Sequence, residues 1–232
     1  MSEREADLNE VPRFPSIHIE LDSRVNFAMQ QNDVPVVKSL VVRNSTTREY
    51  LDLRVRITSE PPFSKAWDWR LERLAPESSI ETREVDLDLD PVYLGELTER
   101  VRGRLTCTVT SRGEKLSEEI FRVDCLARNE WGGVSSLPEI LAAFVLPNHP
   151  AIEPVLRKAS ELIGQKTGDS SLSGYQSKSV KRVAQISAAI YAALQSESLS
   201  YINPPTSFEL EGQRVRLPDH ILQAKMGTPS TS

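Results

Sequence analysis

The feature that most constrains this chain is a change of hydrophobic period near residue 130. From Phe14 to about Ala127, apolar residues recur at every second position. Ile17, Ile19 and Leu21 alternate with polar neighbours, and Val36-Val37 and Leu40-Val41-Val42 run into the turn Asn44-Ser45-Thr46-Thr47. Leu51, Leu53, Val55 and Ile57 alternate with Asp52, Arg54 and Arg56, and Val85, Leu87 and Leu89 with Asp86, Asp88 and Asp90. A period of two places such residues on one face of a strand. The last pair of strands, roughly 101–110 and 115–126, is joined by Ser111-Arg112-Gly113-Glu114, where glycine offers the positive φ of a hairpin turn. After Asn129-Glu130-Trp131-Gly132-Gly133 the period becomes helical.

Seven or eight short strands, with no convincing helix between them, predict an antiparallel β-sandwich with one wet face per sheet. The span suits an immunoglobulin-like (Ig-like) unit in architecture only, because the Cys…Trp…Cys arrangement of antibody domains is absent. The polar, aperiodic residues 1–13 read as a flexible tail. The expected division is therefore 1–13 tail, 14–130 sandwich and 131–232 helical domain, an α+β chain.

In the helical part, Ser136-x-x-Glu139 has capping-box spacing and Pro138 suits a first helical turn, so a helix is expected over 137–146. Pro147-Asn148-His149-Pro150 ends it. A second helix runs to about Ile163, with Pro154 at its start or in a kink and Gly164 as C-cap, followed by an exposed loop over 165–174. The strongest pattern covers about 176–198. Val180, Val183, Ala184, Ser187, Ile190, Tyr191 and Leu194 form a stripe expected to be buried, with Lys178, Lys181, Arg182 and Gln185 opposite. A hairpin over 207–217 turning at Glu211-Gly212, and a short helix from Pro218, complete the pattern.

Charge and composition exclude several classes. The 232 residues carry 28 Lys+Arg against 33 Asp+Glu, net −5, unlike a dedicated basic nucleic-acid binder. No run approaches the ~18 apolar residues of a membrane span, and MSEREADLNE lacks a signal peptide's apolar core. A soluble, cytoplasmic protein with no membrane partner is expected. Two cysteines are too few for a disulfide scaffold. Cys107 and Cys125 share the apolar parity of adjacent strands and read as core thiols, with a bridge or reactive thiol as the alternative.

Motif spacing excludes more. Asp86-x-Asp88-x-Asp90 resembles the start of a calcium loop, but Pro91 and Leu97 stand where the sixth-position glycine and twelfth-position glutamate belong. Gly164-Gln165-Lys166-Thr167-Gly168 lacks phosphate-loop spacing and a preceding buried strand. No zinc motif exists, so no metal or other cofactor is expected, and no small-molecule substrate is evident. Trp67 and Trp69 would share a strand face with Leu71 and plug the core, or else dock a partner. Lys178, Lys181 and Arg182, with Lys166 nearby, are candidate nucleic-acid contacts. His149, between two helices, reads as a capping or packing residue; His18 and His220 carry no signal.

The helical half also resembles a known family. Trp131-Gly132-Gly133, Leu137-Pro138-Glu139-Ile140-Leu141-Ala142-Ala143-Phe144-Val145 and Pro147-Asn148-His149-Pro150 are similar to a block found in large bacterial helicase-related proteins. So are Gly174-Tyr175-Gln176, Ala189-Ile190-Tyr191-Ala192-Ala193-Leu194, Tyr201, Pro204-Pro205, Ser207-Phe208-Glu209 and Gly212-Gln213-Arg214-Val215-Arg216-Leu217-Pro218. The family's N-terminal region, a domain of unknown function, is similar to a β-sandwich followed by a transglutaminase-like fold, with a superfamily 1 helicase downstream. The resemblance covers roughly 14–228. It implies a role in DNA processing or defence against foreign DNA, and marks Trp131, Pro138, Glu139, Asn148, Tyr201, Pro204, Pro205 and Phe208 as family-motif residues.

In that family Lys225-Met226-Gly227-Thr228 leads into a cysteine opening a helix, with a histidine and an acidic residue later. Here Pro229-Ser230-Thr231-Ser232 follow. The resemblance then implies the front half of a transglutaminase-like fold without its nucleophile, no enzymatic activity, and a natural or man-made truncation of a longer protein; a stand-alone short protein is the alternative. The expected function is a non-catalytic interaction or assembly module that self-associates or binds a protein partner. The alternative is a nucleic-acid-binding accessory using the basic helix face.

Overall fold

Alternating segments become strands and the periodic segments become helices in the computed structural model, which describes residues 14–134, 137–174, 178–203 and 212–227. The fold is of the α+β class. It divides into two units, residues 1–132 and 133–232. In chain order the first holds β1 (Ser16–Leu21), β2 (Arg24–Val25), α1 (Phe27–Gln31), β3 (Val37–Asn44), β4 (Tyr50–Glu60) and β5 (Trp67–Leu74). β6 (Ser78–Thr82), α2 (Pro91–Glu96), β7 (Val101–Ser111) and β8 (Glu114–Cys125) follow.

One sheet has the order β1-β3-β6 and the other β2-β8-β7-β4-β5. Each buries one face. Ile17, Ile19, Val37, Leu40 and Val42 are buried on the smaller sheet; Leu53, Val55, Ile57, Leu105, Cys107, Val109, Val123 and Cys125 are buried on the larger. Burying each such large aliphatic side chain contributes about 1.5–3 kcal/mol. The β7–β8 turn places Arg112 at φ 50 and Gly113 at φ 85, the left-handed pair that matches strand twist in a two-residue hairpin. Asn44 explains the turn before β4. Its Nδ2 donates to the carbonyls of Arg48 and Ala75 at 2.8 Å each, and its Oδ1 accepts from the Thr46 N–H at 3.0 Å.

Several expectations need correction. Leu51 does not join the buried row of β4, because Asp52 adopts φ 51 and the alternation shifts there; Tyr50 is buried instead. Residues 83–88 keep the burial alternation but form no ladder, and a bridge from Ser64 to Leu89 ties their end. Asp90 leaves the pattern to cap α2: its Oδ1 accepts from the N–H groups of Val92 and Tyr93, both at 2.9 Å. Asn26 caps α1 likewise through Met29. Two such short helices lie below the length at which a 3.6-residue period can be read. The sheets are also not wholly antiparallel. β2 runs parallel to β8, because Asp22 turns the chain out of β1, its Oδ1 accepting from the Arg24 N–H at 3.0 Å. Trp67, Trp69 and Leu71 do share a face but are only half-buried, since β5 is an edge strand; Phe63 and Leu74 fill the core instead.

The first unit closes on Glu130. Its Oε1 accepts from Arg100 Nε at 3.1 Å, its Oε2 from the Ala127 N–H at 3.1 Å, and its carbonyl from Asn26 Nδ2 at 3.1 Å.

The second unit contains α3 (Glu153–Thr167), α4 (Val180–Ser196) and α5 (Pro218–Ala224). Ser200–Tyr201 pairs in parallel with Met226–Gly227. The helix expected over 137–146 is a 3-10 helix, Pro138–Phe144, bracketed by prolines and tightened by i to i+3 bonds such as Ile140 N–H to Leu137 O at 3.2 Å. Leu137 is its N-cap without a side-chain bond, and Ser136 of the expected capping box lies outside the described residues. α3 runs through Gly164 and ends at Gly168, the left-handed C-cap with φ 77. Gly164 has a different reason to be glycine: a Cβ there would lie 3.1 Å from that of Ser170. The first strand of the hairpin expected over 207–217, with Glu211 of its turn, lies outside the described residues, and the second is a short strand, Gln213–Arg214.

Candidate interaction surface

α3 and α4 meet through small side chains. Val155, Ala159 and Ile163, at i, i+4 and i+8 on α3, form one buried cluster with Ala189 and Ala193 of α4. Leu162, Leu172, Ile186, Ile190 and Leu222 pack around it. Alanines at the contact let helix axes approach closely. Gly174 allows the incoming loop to lie on α4, since a Cβ there would fall 2.7 Å from Ile186 Cδ1.

Arg182 fixes the rotation of α4. Its Nη2 donates to the Asp169 carbonyl at 3.1 Å and pairs with the Asp169 carboxylate at 3.0 Å. Nη1 donates to Thr167 Oγ1 at 3.3 Å, and Nη2 also reaches the Ser171 carbonyl. The Arg182 side chain is only 13% exposed. It staples residues 167–171 to the helix and does not stand with Lys178 and Lys181, which are exposed at the N-terminal end of α4. Lys166 is exposed in the last turn of α3.

The packed side of α4 thus runs through Arg182, Ile186, Ala189 and Ala193. At about 100° per residue, the stripe Val180, Ala184, Ser187, Tyr191 and Leu194 falls on the opposite side. Val180 is 85% exposed, Tyr191 69%, Val183 50% and Leu194 38%. This overturns the expected burial of the stripe at Val180, Val183, Ala184, Ser187, Tyr191 and Leu194, whereas Ile190 of the same stripe does pack on the α3–α4 cluster. Residue size dominates the sequence pattern, whereas the packing of this helix pair selects the smallest side chains. The usable signal was the i, i+4 spacing of Ala189 and Ala193 matched by Ala159 on α3.

The other sequence candidates are placed as follows. Gly164–Thr167 closes α3 and Gly168 caps it, so the phosphate-loop look-alike is a helix C-terminus, whose partial negative charge disfavours phosphate, and not part of a loop. Trp131 is buried, whereas Pro138, Glu139 and Asn148 are exposed. Tyr201 contributes backbone to its short strand, and Pro204, Pro205 and Phe208 lie outside the described residues. His149 caps the 3-10 turn Pro150–Ile152, its Nδ1 accepting from the Ala151 N–H at 3.2 Å; its Nε2 lies 3.8 Å from Asp219 Oδ1.

Cys107 and Cys125 are free and fully buried on the adjacent strands β7 and β8. Burial pushes both thiols from 9.0 up to about 12, with Glu119 beside Cys107 and Asp124 beside Cys125 adding to the rise. Such thiols are poor nucleophiles. Among the described residues no three or more His, Cys, Asp or Glu side chains are grouped to hold a metal ion. An open groove of about 510 Å³ runs between Met29–Pro35 and Arg83–Leu89 in the first unit. No described helix is long and apolar enough to cross a membrane.

No protein-family model matches the chain, and no curated protein matches it.

Proposed function

We propose that the chain is a non-catalytic interaction and assembly module of a helicase-related bacterial system for DNA processing or defence. The observation that carries the interaction role is the apolar side of α4. Val180, Tyr191 and Leu194 stand exposed opposite a side already packed on α3, with Val183 half-exposed at the margin between them. A helix that is apolar on both sides is normally buried on both, and exposed apolar surface of this kind commonly marks an interface.

The architecture is read as an Ig-like sandwich followed by the front half of a transglutaminase-like fold. Two sheets, each buried on one face, support the first part; the motif blocks shared with helicase-related proteins support the second. The non-catalytic assignment is supported by the deep burial of both thiols and by Pro229, which stands where the resemblance places a nucleophile. Exposed Lys178 and Lys181 favour a second reading, a nucleic-acid-binding accessory. It ranks lower because Arg182, the third cation of that set, is engaged by Asp169.

The test is co-purification of the full chain and of a Val180→Asp, Tyr191→Asp variant, with thermal melting as a control for folding. The expected result is unchanged melting and loss of the wild-type associations. A wild-type chain that associates with nothing, itself included, overturns the reading. So do associations indifferent to the two substitutions.

A further inference from the structure

We infer that the groove between Met29–Pro35 and Arg83–Leu89 takes an extended, basic segment of a partner protein, added as a strand along residues 84–88. The groove belongs to the first unit, whereas α4 belongs to the second. The inference goes beyond the interaction-module reading by naming a separate surface and the chemistry of what it holds.

The groove is a split in the smaller sheet. The β3–β6 ladder ends where Leu40 faces Thr82, and beyond that pair the two chains part. On one side, the Val36 carbonyl accepts from the Asp22 N–H at 2.8 Å. On the other, the Asp88 carbonyl accepts from the Lys65 N–H at 2.8 Å, and the Asp90 N–H donates to the Phe63 carbonyl at 2.9 Å. Main-chain groups alternate in direction along an extended strand, so those of Val85 and Leu87 point to the opposite edge. Phe63, Ser64 and Lys65 do not line the groove, which therefore opens on that opposite edge. The N–H and C=O groups of Val85 and Leu87 have no hydrogen-bond partner among the described residues. Both residues are buried, a setting in which main-chain groups are normally paired. At the edge of a sheet, the partner that pairs them is a further strand.

Charge selects the occupant. The lining carries Asp33, Glu84, Asp86 and Asp88 against one cation, Arg83. Arg83 is already paired with Glu81 at 2.9 Å, and Asp88 with Lys65 at 2.6 Å. Asp33, Glu84 and Asp86 are exposed and have no ion-pair partner among the described residues. An added strand therefore meets carboxylates on its outward side, where Lys or Arg at alternate positions suits it, with apolar residues between them turned toward the core. The same charges disfavour two other occupants. A second copy would set Glu84 and Asp86 against their own kind, and residues 1–13 carry Glu3, Glu5, Asp7 and Glu10 against Arg4 and Arg13.

The probe is a fluorescein-labelled heptapeptide alternating lysine and valine, read by anisotropy on the full chain. Saturable binding is expected, weakened about tenfold by Glu84→Lys, Asp86→Lys with unchanged melting. Amide exchange at Val85 and Leu87 is expected to slow in the complex. The same peptide N-methylated at every main-chain nitrogen keeps its charge, cannot donate to the strand edge, and is expected not to bind. No binding, equal binding of the N-methylated peptide or of a glutamate–valine peptide, or unchanged exchange at Val85 and Leu87 overturns the inference. The Val180→Asp, Tyr191→Asp variant is expected to bind the peptide as the wild type does. A chain that ignores the peptide yet loses its associations in that variant overturns the groove and leaves the interaction-module reading standing. A chain that binds the peptide but associates with nothing through α4 keeps the groove and overturns the role given to α4.

Discussion

In the first unit, large side chains such as Phe63, Leu40, Leu53, Ile57, Leu74, Leu94 and Leu105 are buried to within 2% of complete exclusion from solvent. In the second, the buried hydrophobic residues among those described are Ile140, Val155, Ala159, Ile163, Ala189 and Ala193, two valine- or isoleucine-sized residues and three alanines in the α3–α4 cluster. A sheet has one apolar face per strand parity, and register turns the whole set inward together. A helix pair encloses only the stripe along its line of contact. The first unit therefore spends its apolar residues internally, while the second leaves a comparable stripe facing out. Stability is expected to concentrate in the first, with α4 opening at lower free energy.

The largest expected effect that sharpens this contrast is alkaline. The thiols of Cys107 and Cys125 stay protonated in the fold up to about pH 12 but ionise near 9.0 when unfolded. The stability they confer is intact below pH 9 and is lost as pH rises from 9.0 to about 12. Urea midpoints against pH, followed by the fluorescence of Trp67 and Trp69, should fall in that window. The fall should be shallower in a Cys107→Ala, Cys125→Ala variant; equal slopes would refute the assignment.

Phe63→Ala comes next. Its ring is fully buried, and the cavity should cost about 3–5 kcal/mol in urea unfolding of the first unit. Arg182→Ala should cost the second unit about 2 kcal/mol, since it removes charge-assisted bonds to residues 167–171. Hydrogen exchange in that segment should accelerate; unchanged exchange would mean that the staple is idle. The smallest effect is Tyr191→Ala. At concentrations where the chain is monomeric, its unfolding should shift by no more than about 0.5 kcal/mol. A loss above 2 kcal/mol would show Tyr191 to be part of the internal core, and the contrast between the units would fail.

Much of the first unit was legible because a period of two reports directly on which face is buried. Ile17, Ile19, Val55, Ile57, Val85 and Leu87 all sit as their alternation requires. The misses there are local. Asp52 takes a left-handed conformation that no period encodes, and Asp90 and Asn26 cap helices of five or six residues. The edge position of β5 depends on strand order, a long-range property, so the half-exposure of Trp67 and Trp69 could not be read locally.

The candidate surface was legible in composition but not in orientation. The stripe Val180–Leu194 was visible as apolar and regular; its direction was not. Lys178, Lys181 and Arg182 looked equivalent by spacing, yet Arg182 alone finds Asp169.

The amino-acid sequence by itself determined where strands give way to helices, which faces of β4, β7 and β8 are apolar, and that α4 carries more apolar surface than one neighbour can cover. Only the tertiary structure decided which side of α4 that neighbour takes. The physical reason is that hydrophobicity is a sum over residues, whereas packing is a fit between two surfaces. On α3 the fit favours Ala189 and Ala193 over larger residues, and Arg182 locks the choice, leaving Val180 and Tyr191 facing outward.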